Sequence, residues 1–374
     1  MKSSDNSGPL EIVSEARDIS VGGVAGKATA QVIDCNNMAG GTINVTQNIH
    51  DSSLSGAAQP LALKVGGVLG FCDAGNITTI NGSTNAENIK IFANTDSSTG
   101  TDSNFYGLFA GGVLGLSSAA TSYSENCKNL AGGDIVIIAG KSLTRASVGG
   151  VAGQTHGGFK DFVNNASTLS FTGGSSSQAA SYCRIGGLVG HVTGQPVLTN
   201  SFDMNVNKAG ITVDSAAKLM VGGTVAYSVR DCDKLRNEGD ISVTAKGELQ
   251  AVGGIIGNFA RNKLTNSENI ASISIERDAS SATSDNLSSA GLCVGFLNSE
   301  AVFSGCVVSG SLVFSAQDGS SIPLGIAAGK LNANLTLGAE NAPFHVKMGS
   351  DPKPSVLVGD INNHTLTTAN VDYE

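Results

Sequence analysis

The hexapeptide 148-VGGVAG-153 repeats 21-VGGVAG-26 letter for letter, and near copies stand at 65-VGGVLG-70, 110-AGGVLG-115, 185-IGGLVG-190, 221-VGGTVA-226 and 252-VGGIIG-257. Two blurred forms, 290-AGLCVG-295 and 324-LGIAAG-329, extend the series. The motifs start at Val21, Val65, Ala110, Val148, Ile185, Val221, Val252, Ala290 and Leu324, with spacings of 44, 45, 38, 37, 36, 31, 38 and 34 residues. A loose period of this length is the mark of a repeat architecture, in which one unit cannot bury its own apolar face and must stack on its neighbours.

A second landmark follows each motif: Ile43, Ile89, Ile135, Leu169, Ile211, Ile241, Ile273, Leu312 and Val346. It lies in alternating segments such as 43-INV-45, 89-IKI-91 and 273-ISI-275, the pattern of a strand with one face buried. Between the landmarks run polar stretches with an asparagine and turn residues, as in 36-NNMAGG-41, 129-NLAGGD-134 and 237-NEGD-240. Gly, Ser, Thr and Asn interrupt every run before three helical turns can form. The pattern predicts an all-β fold, a single-stranded parallel β-helix (β-solenoid) of about nine coils with one glycine motif per coil. Residues 1–17 form a lead-in or cap, 18–346 the repeat domain, and 347–374 a closing cap or linker.

The motif places apolar or small residues at positions one, four and five, which a flat strand could not bury together. Either the chain bends at the Gly-Gly or its outer face is covered, and the bend is the reading taken here. Glycine columns also permit close approach of adjacent coils. Cys35, Cys127, Cys232 and Cys306 fall a little after the motif and are expected to stack in one interior column. The chain holds seven cysteines with no CxxC pair, so neither a disulfide framework nor a structural zinc site is indicated.

The formal charge is -9, from 31 acidic and 22 basic residues, without a Lys/Arg run. Nucleic acids are therefore not expected as partners. The longest apolar run, 107-GLFAGGVLGL-116, is too short for a transmembrane segment, and the first residues lack the apolar segment of an export signal.

Segments such as 185-IGGLVG-190 followed by 207-NKAGITV-213, and 221-VGGTVA-226 followed by 237-NEGDISV-243, resemble the GLUG-type glycine-rich repeats of bacterial cell-surface, adhesin-like proteins. The resemblance covers about residues 18–346. It implies a stalk or display surface, extracellular or at the cell surface. The HExxH motif of the metalloprotease associated with some such repeats does not occur in this sequence.

Chemistry is sparse. The acids Asp34, Glu125, Asp161, Asp203, Asp231 and Glu268 follow the glycine motif at offsets that form no shared column. The pairs 87-EN-88, 125-EN-126, 268-EN-269 and 340-EN-341 read as a structural corner or an interior amide ladder. The histidines, His50, His156, His191, His345 and His364, show no metal-ligand spacing, and His156 and His191 show no alignment between coils. No catalytic, cofactor-binding or metal-ligating residue is assigned, and no cofactor is expected. Long insertions begin at Thr46, Ala93 and Arg277. A partner-binding loop is placed at Phe105 and Tyr106, within the most elaborated N-terminal third.

The expectation is a non-enzymatic extracellular or cell-surface scaffold for adhesion or display. Its partner would be a host or surface protein or a glycan, and end-to-end self-association is possible because a β-helix exposes strand edges at its ends. The alternative is a β-helical polysaccharide lyase or hydrolase with acids from adjacent coils.

Overall fold

The structure, a computed structural model, describes residues 1–16, 18–49, 61–73, 80–95, 106–118, 124–140, 143, 145–174, 182–193, 204–278, 288–317, 319–347 and 354–374. Among these residues there is no helix. All strand pairings between the sheet strands are parallel, and they build six sheets of four to eleven strands. The chain is a parallel β-helix.

One turn shows the plan. Ile43–Ile49 belongs to a nine-stranded sheet, here the long-strand sheet. Leu61–Gly66 belongs to a second nine-stranded sheet, the entry sheet, which leads into the Gly-Gly. Leu69–Cys72 leaves the Gly-Gly in a ten-stranded exit sheet. Ile80–Asn81 lies in a corner sheet, and Thr84–Asn85 in an eleven-stranded ladder sheet, before Ile89–Thr95 starts the next turn. The corner sheet comes in two parts, of four and five strands. The lead-in and closing segments each supply strands: Asp5–Asn6 pairs with Asn36–Asn37, and Phe344–Val346 with Val371–Tyr373.

Register follows the aliphatic pattern, because a one-residue slip would turn every buried side chain outward. Ile43, Ile89, Ile135, Leu169, Ile211, Ile241, Ile273 and Leu312 are successive partners in the long-strand sheet. Val346 departs from the expectation: it pairs with Val308 in the ladder sheet. The insertions also begin later than expected, since Thr46, Ala93 and Arg277 are all inside long strands and Ala93 is fully buried.

The chain bends at the Gly-Gly, as expected. Strands Leu61–Gly66 and Leu69–Cys72 end and restart around it, and positions four and five, Val68 and Leu69, are both buried. The bend is so tight that a Cβ on Gly66 would stand 2.2 Å from the Leu69 carbonyl oxygen. The third motif position abuts a column of asparagines on the ladder sheet, where a Cβ on Gly67 would lie 2.5 Å from the Asn85 side chain.

That column is a continuous amide ladder. Each Nδ2 donates to the next Oδ1 from Asn6 through Asn37, Asn85, Asn129, Asn164, Asn207 and Asn237 to Asn269, at 2.8–3.0 Å. The second amide proton goes to a main-chain carbonyl, as Asn129 Nδ2 does to Gly133 at 2.7 Å. From Asn37 to Asn269 every rung is buried, and such groups are tolerated there because the acceptor and, as far as Asn237, both donors are used.

Between the corner and ladder sheets, one left-handed residue per turn makes the corner: Asp34, Asn126, Asp161, Lys234 and Asn266 have φ of 48–55°, and Gly82 and Gly305 have 65° and 63°. The Glu-Asn pairs therefore do not share one role. Asn269 is a ladder rung, Asn126 is the left-handed corner, Asn88 accepts the Asp134 N–H, and Asn341 is exposed. The cysteine column is likewise corrected. Cys35, Cys127 and Cys306 share the position after the left-handed corner with Ser83 and Ser267, whereas Cys232 is in register with Leu264 in the corner sheet.

Candidate functional site

Outside the Gly-Gly bend, the outer faces of the entry and exit sheets converge into a narrow cleft that their own side chains fill. At its base the two backbones nearly touch: a Cβ on Gly70 would meet the Val21 amide nitrogen at 2.6 Å. Further out, side chains from the two sheets meet across the cleft, and residues that alternation directs outward are buried there, among them Ser147, His191, Asn258 and Phe296.

The cleft carries cations along its length, in two different settings. At its ends the lysines are paired: Lys64 with Asp18, and Lys330 with Asp360 at 3.2 Å. Lys218 holds Glu248 at 2.7 Å. In the middle the setting changes. Arg184 pairs in register with Ser147, and Arg145 is two residues before Ser147 on the same face of its strand. Arg184 is partly buried, and its Nε and Nη1 are shielded from solvent without a hydrogen-bond partner, as is the Oγ of Ser147. The guanidinium carbon sits 5.3 Å from the centre of the Tyr227 ring across the cleft and 5.7 Å from that of Tyr182 beside it. Lys218 Nζ lies 5.1 Å from the same Tyr182 ring.

No carboxylate answers this charge among the groups that shift Arg184. Burial, then the neighbouring Arg145, lowers its pKa to about 10, and only Tyr227, Cys183 and Tyr182 act in the opposite sense. His191 faces the same field. Burial first, then Arg184, Arg145 and His156, hold its pKa well below the ordinary 6.5, so it is neutral at pH 7. Its Nδ1 is 3.2 Å from Gln154 Oε1, its ring is 5.1 Å from that of Tyr227, and His156 Nδ1 meets Thr193 Oγ1 at 2.8 Å.

His156 and His191 thus come together despite their unequal offsets, which sequence spacing did not bring out. Arg145 and Arg184 were also missed. The available signal was their position just ahead of the glycine motif, in 145-RASVGG-150 and 183-CRIGG-187, on the outward phase of the strand.

The acids singled out in the sequence are used structurally. Glu125 accepts from Asn81 at 2.8 Å, Glu268 lies 3.3 Å from Arg236, and Asp231 accepts two main-chain N–H groups. Asp34 and Asp161 occupy the left-handed corner. Asp203 and His50 fall outside the described residues, as does Phe105. Tyr106 opens the strand Tyr106–Gly111, opposite Leu61.

One group has the makings of a metal ligand set. His345, Asp372 and Glu374, on adjacent closing strands, bring their ligand atoms within 4.8 Å of one another. His345 Nδ1 is 3.4 Å from each carboxylate, and both acids are about half exposed. No described helix is long and apolar enough to cross a membrane.

Comparison with family models, with curated proteins and with solved structures returned no match for this chain.

Proposed function

We propose that this chain is a non-enzymatic rod that carries binding surfaces at the outside of a cell. The observation that carries this reading is the asparagine ladder from Asn6 to Asn269, buried from Asn37 onward. It ties consecutive coils together through side chains as well as backbone, within one continuous apolar interior. A stack bonded this way resists bending and local opening, because every coil is held by its neighbours on both sides. Stiffness of this kind serves a protein that must hold a site at a distance from its anchor. The likeness of the glycine motifs to the GLUG-type repeats supports the same placement.

Two measurements test it. An antibody against the chain, applied to intact producing cells, is expected to label their surface; labelling that needs lysed cells overturns the placement. Small-angle scattering on the purified chain is expected to give an elongated profile that shortens by one coil's rise when a coil is deleted. A profile unchanged by the deletion overturns the role as a spacer.

A further inference from the structure

We infer that His345, Asp372 and Glu374 bind a first-row divalent metal ion such as zinc, and that the ion fastens the closing edge strand to the coil stack.

The backbone brings the three residues together. Phe344–Val346 and Val371–Tyr373 are the last two strands of the ladder sheet, and His345 is the direct partner of Asp372. Glu374 follows two residues after Asp372, on the same face, and its N–H donates to the Val346 carbonyl, which keeps it in the pairing. Phe344 and Val346, on the opposite face, are fully buried. Their burial fixes the phase of the strands and stands the three polar side chains on the outer face. Sequence spacing does not show this set, because positions 345 and 372 meet only when the closing segment returns as an edge strand.

Distances then separate a metal site from an ion pair. His345 Nδ1 is 3.4 Å from Asp372 Oδ2 and 3.4 Å from Glu374 Oε1, and it makes a hydrogen bond to neither. An imidazolium bonded to a carboxylate would draw in to about 2.7–2.9 Å, and its one Nδ1 proton could serve only one of the two acids. Nitrogen and oxygen ligands at about 2.0–2.2 Å from a tetrahedral zinc ion stand about 3.3–3.5 Å apart. The two equal separations at Nδ1 are those of such a shell. Charge points the same way: two carboxylates converge here, and among the described residues neither meets a lysine or an arginine. Nδ1 is shielded from solvent, but the carboxylates beside it stand about half exposed. An ion therefore reaches the nitrogen by way of the oxygens that hold it. One imidazole with two carboxylates suits zinc and its first-row neighbours better than calcium or magnesium, which take all-oxygen shells.

An ion held across two strands binds the folded edge and not the unfolded chain, so it tightens that edge. The site is independent of where the rod is displayed, because binding is read on the purified chain and surface placement on intact cells. Titration calorimetry of the full chain, first stripped with a chelator, is expected to show one zinc site, with calcium and magnesium at least tenfold weaker. His345→Gln, Asp372→Asn and Glu374→Gln should each weaken zinc at least tenfold with unchanged circular dichroism. His364→Gln, on the same closing segment, should leave zinc affinity as it was. On the unmutated chain, zinc should slow amide hydrogen exchange in residues 371–374, and chelation should restore it, a readout that stands even if a variant fails to fold. Absence of zinc binding, undiminished zinc affinity in His345→Gln, or exchange at 371–374 that zinc leaves unchanged overturns the inference. Calcium binding as tightly as zinc also overturns it, since the site would then be a pair of surface carboxylates without the imidazole.

Discussion

Gly254 faces Asn269 inside the same coil so closely that a Cβ on the glycine would stand 2.6 Å from the Asn269 Cγ, and 2.1 Å from the Leu292 carbonyl oxygen of the next coil. In that next coil both members change together: the third motif position is Leu292 and the rung position is Val308, both buried. The following coil pairs Ile326 with Val346, again both buried. Amide with glycine, or aliphatic with aliphatic, fills the same cross-section.

Gly254→Ala is expected to destabilise the coil stack by about 3 kcal/mol or more, since the added methyl must displace backbone rather than a flexible side chain. Adding Asn269→Ala should recover less than half of the loss, because the Leu292 carbonyl remains in place. Guanidinium denaturation followed by far-ultraviolet circular dichroism reads both values. Full recovery in the double variant would show that side-chain crowding alone fixes the glycine.

The ladder predicts an order of costs. Asn129 accepts from Asn85, and donates to Asn164 and to the Gly133 carbonyl. Asn129→Ala thus strands groups on both neighbouring coils, at a cost of about 2–4 kcal/mol. Asn6 stands at the exposed end of the ladder and has one neighbouring rung, so Asn6→Ala should cost about 1 kcal/mol or less. Equal losses at the two sites, measured by the same denaturation, would contradict a cooperative interior ladder.

At the left-handed corner the other described turns use Asp, Asn, Gly or, at Ser3, serine, and Lys234 carries the longest side chain there, with φ of 54°. Asn enters this region more readily than Lys because its short side chain bonds locally. Lys234→Asn is expected to raise stability by about 0.5–1 kcal/mol. A melting temperature that falls instead would mean that the lysine side chain contributes more than the strain it carries.

These features were legible in the sequence to different degrees. The fold was readable because backbone pairing and apolar alternation repeat the same statement: Ile43 and its counterparts fall into register without exception until Leu312. The ladder was half readable. Asn37, Asn129 and Asn237 announce it before their turn residues, but Asn126 and Asn269, although each follows a glutamate, occupy different places in the coil, the left-handed corner and the rung three residues after it. The cleft was not readable from spacing, since Arg184 meets Tyr227 by lying across a bend from the following coil. Such a meeting depends on how tightly the Gly-Gly closes, which periodicity does not encode.

His191 gives the rod a definite response to acid. Its pKa in the folded chain lies well below 6.5, while in the unfolded chain it returns to about 6.5. As pH falls below about 6.5, the unfolded chain takes up a proton that the folded chain refuses, so stability is lost on the acid side and is fully present above it. Replacing the imidazole with His191→Gln should flatten the stability profile between pH 7 and 5 relative to the unmutated chain. Parallel profiles for the two proteins, measured by denaturant midpoint at each pH, would remove His191 as the source.

The thiols predict the opposite response, in base. All seven cysteines are buried, and none is joined in a disulfide. Burial pushes Cys127, Cys183 and Cys232 up to about 12 from an ordinary 9.0, and raises Cys293 well above it. Between about pH 9 and 12 the unfolded chain gives up thiol protons that the folded chain keeps, so stability present below pH 9 drains away as pH rises. The same burial withholds the thiolate, the reactive form. Ellman's reagent at pH 8 should therefore titrate close to none of the thiols in the native protein and all seven in guanidinium. Replacing Cys127 and Cys183 by alanine should lessen the alkaline loss while lowering stability at pH 7, since each leaves a cavity. Rapid native labelling of Cys127 or Cys183, identified by peptide mass spectrometry, would show that the coil interior opens to solvent, contrary to a stack held on both sides of every rung.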